Sequence, residues 1–417
     1  QLLFTTFTRN LAADIKENLR LIGSEEVLDR IEVTNLDRWL SRFLNRQDYD
    51  YTIDYGGQSQ DLWDRALMVG PEDWGSTFLR TEWEQVIQPN EIQSEAEYMR
   101  VSRVGRGTPL QRSQRAEVWP VFNEYQSLLD EHKLRERAGA LRDARKILEE
   151  EGDVLPYRSV VVDEAQDMGT QAFKLIRQMI PGGDQENDLF IVGDAHQRIY
   201  DRQVVLKHCG INIVGRSHKL RINYRTTEEN RQWAVGLLEG TEYDDLDGGV
   251  DDQEVYKSLM QGEEPRVETF GTFQAEVEAI VNVLQKEEED GESLRDTCII
   301  ARTASLLDNY SGALRAADID TYPIKKDRAE DRSEPGVRLA TMHRAKGLEF
   351  ERVIVAGVSE GTVPLSKALS EADDAATRDQ IRKRERSLLY VSATRAKREV
   401  IVTAHDTPSP WLPGVGD

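Results

Sequence analysis

The run Ser159-Val160-Val161-Val162, followed at once by Asp163 and Glu164, constrains this chain more than any other segment. A short β-branched apolar run has the character of a strand buried on both faces of a parallel sheet. In open α/β sheets, ligands bind outside the carboxyl ends of the strands. Two adjacent carboxylates in that place suit phosphate chemistry. Asp163 can hold Mg²⁺, a hard cation that takes carboxylate and phosphate oxygens. Glu164 can orient or deprotonate a water attacking a γ-phosphate. Taken alone, the segment reads equally well as a strand running into an acidic helix cap.

The rest of the chain repeats the same grammar. Leu2 to Phe7 reads as a strand and Asn10 to Leu21 as an amphipathic helix. Strands Ser159 to Val162 and Leu189 to Val192 flank a helix around Gln171 to Met179. From about residue 266, strands Arg266 to Phe270, Thr297 to Ala301, Val337 to Thr341, Val353 to Ala356 and Glu399 to Thr403 alternate with helices. That alternation predicts an α/β fold with parallel sheets. Residues 48–112 break the pattern, with Trp63, Trp74 and Trp83 among scattered Gly and Pro, and read as a helical insertion. Its tryptophans are core residues before they are base-stacking platforms. Residues 113–151 read as helical, with Leu128, Leu129, Leu141, Ile147 and Leu148 as buried positions.

A length of 417 residues exceeds one ordinary core and predicts two or three domains. Hydrophobic residues at 39% and charged residues at 31% fit a globular protein. No apolar run approaches the roughly 18 residues of a membrane span, so no membrane partner is expected. Cys209 and Cys298 are isolated and read as reduced thiols of a cytoplasmic protein. The net charge of −22 excludes generic nucleic-acid affinity but not a local basic groove. Acidic runs such as Asp244 to Asp252 and Glu287 to Glu292 read as solvated loops or helix faces.

Further segments join predicted strands to polar residues. They are Leu3-Phe4-Thr5-Thr6-Phe7-Thr8-Arg9-Asn10, Gly193-Asp194-Ala195-His196-Gln197-Arg198-Ile199-Tyr200 and Asn223-Tyr224-Arg225. Two more are Thr341-Met342-His343-Arg344-Ala345-Lys346-Gly347-Leu348-Glu349-Phe350 and Leu388-Leu389-Tyr390-Val391-Ser392-Ala393-Thr394-Arg395-Ala396. The expectation is that each ends a strand. Singly, an arginine at a strand end is a surface ion pair and His343 a structural histidine.

In this order, the segments resemble the superfamily-1 DNA helicases of the UvrD/Rep type. Val33-Thr34-Asn35-Leu36-Asp37-Arg38-Trp39 is a weaker match to a further DNA-contacting motif of that family. The resemblance implies two RecA-like lobes. Residues 1–47 and 113–226 would form the first, 48–112 its helical insertion, and 227–417 the second. It implies ATP and Mg²⁺ as cofactors, with Asp163 as metal ligand and Glu164 activating water. Gln197 would contact the γ-phosphate, and Arg225 and Arg395 would stabilise the transferring group from two sides of a cleft. Gln166, Asp194, Tyr224, Gly347 and Glu349 would fall on the nucleotide side, Tyr224 against the adenine and Glu349 on the ribose. Phe7, Thr8, Thr34, Tyr200, Arg202, Thr341 and His343 would line a path for single-stranded DNA, or for a duplex with a single-stranded tail. The implied activity is ATP-driven 3′→5′ movement on DNA in repair, recombination or replication restart.

Three departures bear on that expectation. No G-x-x-x-x-G-K-[ST] occurs in these residues, whereas the family carries that phosphate loop before the strand matching Leu2 to Phe7. The chain is therefore expected to be the core of a fuller helicase and inactive alone. The alternatives are a non-catalytic DNA-binding or scaffold module, or an ATPase subunit of a nuclease or defence complex. Arg202 stands where the family usually carries a base-stacking Trp. The gap between Ile324 and Val337 is only about a dozen residues, too short for the accessory domain found there in relatives.

Overall fold

The computed structural model describes residues 1–71, 73–103, 106–152, 155–180, 188–199, 204–243, 249, 256–325, 330–331, 333–372 and 374–413. The chain divides into two compact units. One is Gln1–Gly193 with Asp201–Val214 and Ser370–Gln380; the other is Asp194–Tyr200 with Gly215–Leu369 and Ile381–Asp417.

The first unit carries strands β1 (Leu2–Thr6), β2 (Ile31–Asn35), β3 (Thr52–Asp54), β4 (Leu134–Glu136), β5 (Ser159–Val162) and β6 (Leu189–Ile191). Four of them form a parallel sheet in the order β2-β1-β5-β6. Helix Arg9–Ile22 connects β1 to β2, and helix Leu36–Arg46 starts directly after β2. The latter is not among the sequence expectations, although Leu36, Trp39, Leu40, Phe43 and Leu44 recur at helical spacing and are all buried. They share one core with Leu3, Val160 and Val162 of the sheet. Burying each large apolar side chain is worth about 1.5–3 kcal/mol.

The segment 48–112, expected as an insertion, supplies helices Gln58–Leu67 and Ser76–Glu82, and these share one core with helix Arg112–Glu131, expected in the first lobe. Trp63 and Trp83 are buried there, each meeting Tyr125 edge-on at 4.8 and 5.0 Å between centroids. Such pairs add about 0.5–1.5 kcal/mol beyond their area. Trp74 packs at the margin of the same cluster. The helix expected across 113–151 is interrupted by β4, which pairs with β3 in parallel. The cause is tertiary. Glu136 accepts from Arg80 Nη2 at 2.8 Å, Trp83 Nε1 at 2.6 Å and the Tyr125 hydroxyl at 2.9 Å, which outweighs the small helix propensities of a few residues.

The second unit carries β7 (Ile222–Thr227), β8 (Lys257–Met260), β9 (Arg266–Phe270), β10 (Thr297–Ala301), β11 (Thr321–Pro323), β12 (Val337–Thr341), β13 (Phe350–Ala356) and β14 (Ala396–His405). β7 pairs with β8, and residues 215–226 together with 194–200, all expected in the first lobe, fall in this unit, while residues 370–380, expected in the second lobe, fall in the first. The remaining six strands form a parallel sheet in the order β11-β12-β10-β13-β14-β9. Alternate residues feed two cores, Cys298, Ile300 and Val353 on one face and Ile299, Ala301 and Ile354 on the other. Both faces are therefore covered, as the near-continuous apolar strands require.

One acidic position departs from its sequence reading. Glu287 is buried, not solvated: it accepts from Thr297 Oγ1 at 2.7 Å and pairs with Arg352 at 2.6 Å. Desolvation by burial raises its pKa despite these partners. The run Asp244 to Asp252 lies almost wholly outside the described residues.

The short connection from β11 to β12 is closed by Arg338, which is fully buried on β12. Its Nε donates to Glu330 at 2.8 Å, and its other nitrogens donate to the carbonyls of Glu334, Gly336 and Asp331. Its guanidinium lies 4.9 Å from the Tyr322 ring centroid. β11 and β12 pair directly, Thr321 beside Val337. Replacing Arg338 by Met keeps most of the volume but strips Glu330 of this partner and three carbonyls of their donor. A loss of about 3–5 kcal/mol is expected by chemical denaturation; a loss under about 1 kcal/mol would contradict this role for Arg338.

Candidate functional site

In the first unit the parallel register stops the strands level with one another. Thr5 pairs with both Thr34 and Val162, and Val162 pairs with Ile191. Thr6, Asn35 and Asp163 therefore share the carboxyl edge of the sheet. The Asp163 N–H donates to the Thr5 carbonyl at 2.9 Å, and the Ala165 N–H donates to the Val192 carbonyl at 3.0 Å. Glu164, held between these two bonds, adopts φ +53° and ψ +39°. A non-glycine residue in this left-handed region stores about 1–3 kcal/mol of strain. Gln166, itself buried, donates from Nε2 to Glu164 Oε2 at 2.5 Å and so orients that carboxylate. Asp163 Oδ1 accepts from the Glu164 N–H at 2.9 Å.

The buried side-chain oxygens of Thr5, Thr6 and Asn35, at this same edge, have no hydrogen-bond partner among the described residues. Hard oxygens gathered at one strand edge fit Mg²⁺, which binds through one or two carboxylates together with substrate phosphates. A cage of three or more metal-ligating side chains is not formed among the described residues.

The sequence-expected DNA residues of this unit have local duties. Thr8 caps helix Arg9–Ile22, its Oγ1 accepting from the Leu11 N–H at 3.3 Å. Thr34 is buried, and its hydroxyl donates to the Asn35 carbonyl at 3.4 Å. Phe7 packs against the core and faces the Arg137 guanidinium 5.6 Å from its centroid, with Arg137 held by Asp37 at 2.6 Å. A cation over an aromatic face is the arrangement that also attracts a stacked base.

In the second unit, Tyr224, Arg225 and Glu349 line one cleft of about 550 Å³, within the size range of small-molecule sites. Arg225 Nε bonds Glu349 Oε1 at 2.7 Å. The Asn223 side chain accepts from the Arg225 N–H at 2.7 Å and fixes the local turn. Tyr224 is exposed. Lys397 and Met260 also line the cleft, and neither stands out in the sequence.

The motif segments do not all end strands. Arg225 lies within β7, Glu349 directly precedes β13, and Arg395 directly precedes β14. Phe350 pairs with Ala396, so Glu349 and Arg395 share the amino edge of this sheet. The chain enters β14 from helix Ala375–Ala393, and the helix end supplies the arginine. Thr341 and His343 sit at the opposite edge, at and beyond the carboxyl end of β12.

Arg395 is buried and pinned. Its Nε donates to the Val391 carbonyl at 2.9 Å, and its Nη2 donates to Thr394 Oγ1 at 3.1 Å and to Gln197 Oε1 at 3.2 Å. The same Gln197 amide donates from Nε2 to Asp194 Oδ2 at 2.8 Å. The Lys346 ammonium, nearly buried, donates to the Gln197 carbonyl at 2.5 Å. Gly347 follows at φ +81°, a conformation that favours glycine. The other Asp194 oxygen accepts from the His196 N–H and meets His196 Nδ1, both at 3.0 Å. Desolvation works to raise the Asp194 pKa, yet the hydrogen bonds from His196 and Gln197 bring it below the ordinary carboxylate value. Lys346 and His196 are site residues that sequence reasoning misses, although both lie inside motif segments. Tyr200 and Arg202 lie outside the described residues.

Thr341 is buried at the end of β12. His343 sits beside a buried bidentate pair, with Arg302 Nε and Nη2 on the Glu385 carboxylate at 2.8 and 2.6 Å. Burial first, then the charges of Arg302 and Arg384, lower its pKa to about 4. It is therefore neutral at pH 7.

Two family models match parts of this chain. Residues 1–203 match the UvrD/REP helicase N-terminal domain, and residues 324–407 match the UvrD-like helicase C-terminal domain. The putative ATP-dependent DNA helicase YjcD of Bacillus subtilis is 35% identical over 121 residues, 28% of this chain and 14% of that protein. The ATP-dependent DNA helicase UvrD2 of Mycobacterium tuberculosis is 44% identical over 73 residues, 17% of this chain and 10% of that one. The ATP-dependent DNA helicase PcrA of Bacillus subtilis is 38% identical over 87 residues, 21% and 11% respectively. The matched stretches thus span 10 to 14% of these relatives' own lengths.

The His343 environment sets a pH dependence. Its folded pKa of about 4 lies below the 6.5 of a free histidine, so the unfolded chain binds the extra proton between those values. Its contribution to stability is complete above about pH 6.5 and is lost as the pH falls through about 4. Denaturant midpoints measured across that window should fall for the parent and fall less steeply for His343→Asn. Parallel curves would contradict this assignment.

Proposed function

The chain belongs to the UvrD/Rep helicase family, and from that premise we propose that its full-length protein is a DNA-stimulated ATPase that moves 3′→5′ on single-stranded DNA. One observation carries the ATPase part of this reading, while the direction of movement rests on the family resemblance alone. Gln197 and Arg395, which stand 198 positions apart in sequence, share a hydrogen bond. A carboxamide that senses an attacking water and a guanidinium that neutralises phosphoryl charge need that proximity to act on one phosphate.

In this reading Asp163 would hold Mg²⁺, which would supply charge neutralisation at the nucleotide phosphates. Glu164 takes the proton of the attacking water, its carboxylate steered by Gln166 and by the strained turn. Arg225 exchanges its Glu349 partner for phosphate oxygens, and Glu349 becomes available to the ribose. Tyr224, exposed at the mouth of its cleft, offers a ring face to the base. Arg395, already desolvated and held by carbonyls, offers charge to the transferring group with little reorganisation. In this reading Phe7 and Thr8 of the first unit and His343 of the second are assigned to contact with the nucleic acid, whereas Thr34 and Thr341, both buried, couple to that path rather than touch it. A neutral His343 there contributes hydrogen bonding rather than charge, which suits sequence-independent contact. The gap of about a dozen residues between Ile324 and Val337 is too short for a large accessory domain at that place, which favours translocation over processive unwinding.

Steady-state ATPase of the full-length protein should rise with single-stranded DNA. Glu164→Gln should lower kcat about 10²–10⁴-fold while nucleotide affinity stays near parental; comparable turnover in the variant and parent would reject Glu164 as the base. Affinity for single-stranded DNA should fall with salt at about −0.7 in logarithmic slope per phosphate contact and should depend little on base sequence. Salt-independent binding, or strong sequence preference, would contradict a translocation track.

A further inference from the structure

We propose that His196 is a positioning residue that sets the orientation of the Gln197 amide through Asp194. The proposal rests on the ATPase reading and adds a residue to it. Its basis is a closed chain of contacts within the second unit. The His196 backbone N–H and ring Nδ1 both meet Asp194 Oδ1 at 3.0 Å. Asp194 Oδ2 accepts from Gln197 Nε2 at 2.8 Å. Gln197 Oε1 then accepts from Arg395 Nη2 at 3.2 Å.

Each link leaves the next one orientation. A carboxylate gripped on one oxygen by two donors cannot swing freely about its terminal torsion. Its second oxygen is therefore fixed in place. An amide is nearly symmetric in shape, and its direction is decided by its hydrogen bonds. Here the Asp194 oxygen demands the NH₂ end, which leaves the carbonyl end for the Arg395 guanidinium. If Asp194 rotates, the amide can flip and present NH₂ to a cation, which repels it.

The ring itself is built into place. His196 is 5% exposed, with its ring 5.1 Å from that of Tyr243 and 6.2 Å from that of Tyr390. Its burial serves either packing by the ring or positioning by its nitrogen. These roles predict opposite behaviour for two substitutions. Phe keeps the aromatic packing and removes the donor. Asn removes the ring, and its side-chain NH₂ overlies the position of Nδ1.

The test uses the full-length protein with single-stranded DNA and ATP. His196→Phe should lower kcat about 10- to 100-fold, the range for losing a hydrogen bond to a charged group, with KM for ATP within about threefold of parental. His196→Asn should recover most of the parental kcat. Parental activity in the Phe variant, or equal loss in both variants, would overturn the proposal. An inactive parent would instead refute the ATPase reading itself. The geometric claim is then judged by a crystal structure of His196→Phe: a displaced or flipped Gln197 amide supports it, and an amide unchanged against Asp194 and Arg395 overturns it.

Discussion

The backbone bonds on either side of Glu164 are the constraint from which the first unit's chemistry follows. Asp163 is tied to Thr5 on β1 and Ala165 to Val192 just past β6. The chain must pass from one to the other in a single residue, which forces Glu164 into the left-handed region. Such strain persists only where the surroundings over-determine it. Two adjacent strands and a buried Gln166 do so here. The carboxylates are consequently delivered at a sheet edge with their orientation already set, so little ordering remains when a ligand arrives.

The second unit solves a different problem. Its cationic and polar site residues gather at the amino edge of β13 and β14, while His343 occupies the far edge of β12. Helix Ala375–Ala393 makes this possible, because Arg395 emerges from its carboxyl end and donates back to Val391 within the last turn. A guanidinium bound to carbonyls is satisfied yet still charged. With an overall charge of −22, any attraction of the protein for an anion rests on such local placements rather than on its net field.

Much of this is legible in the sequence because the strands are buried on both faces and so read as apolar runs. Val160 to Val162, Cys298 to Ala301 and Val353 to Ala356 all lie where those runs place them. Motif residues can be grouped, since Tyr224, Arg225 and Glu349 do share a cleft and Gln197 does meet Arg395. What stays hidden is whatever tertiary contact decides. Glu136 draws β4 out of a helical stretch through four donors, on Arg80, Trp83, Gln88 and Tyr125. Glu287 is buried because Arg352 and Thr297 reach it, although its neighbours are solvated. Which edge of a sheet a motif occupies is also hidden, because a residue before a strand and one after it look alike without the pairing. Helix Leu36–Arg46 is a different case: its 3.6-residue apolar period is plain in the sequence, but it overlaps a segment that also reads as a weak motif.

In the proposed mechanism Gln197 and Arg395 act as a unit on one phosphoryl group. A double-mutant cycle on kcat of the full-length protein, with Gln197→Ala, Arg395→Ala and the pair, tests this most directly. The two residues touch, so their effects should be strongly non-additive, the double variant losing little more than the worse single one. If the two losses multiply as independent effects, the residues serve separate steps and do not form one catalytic unit.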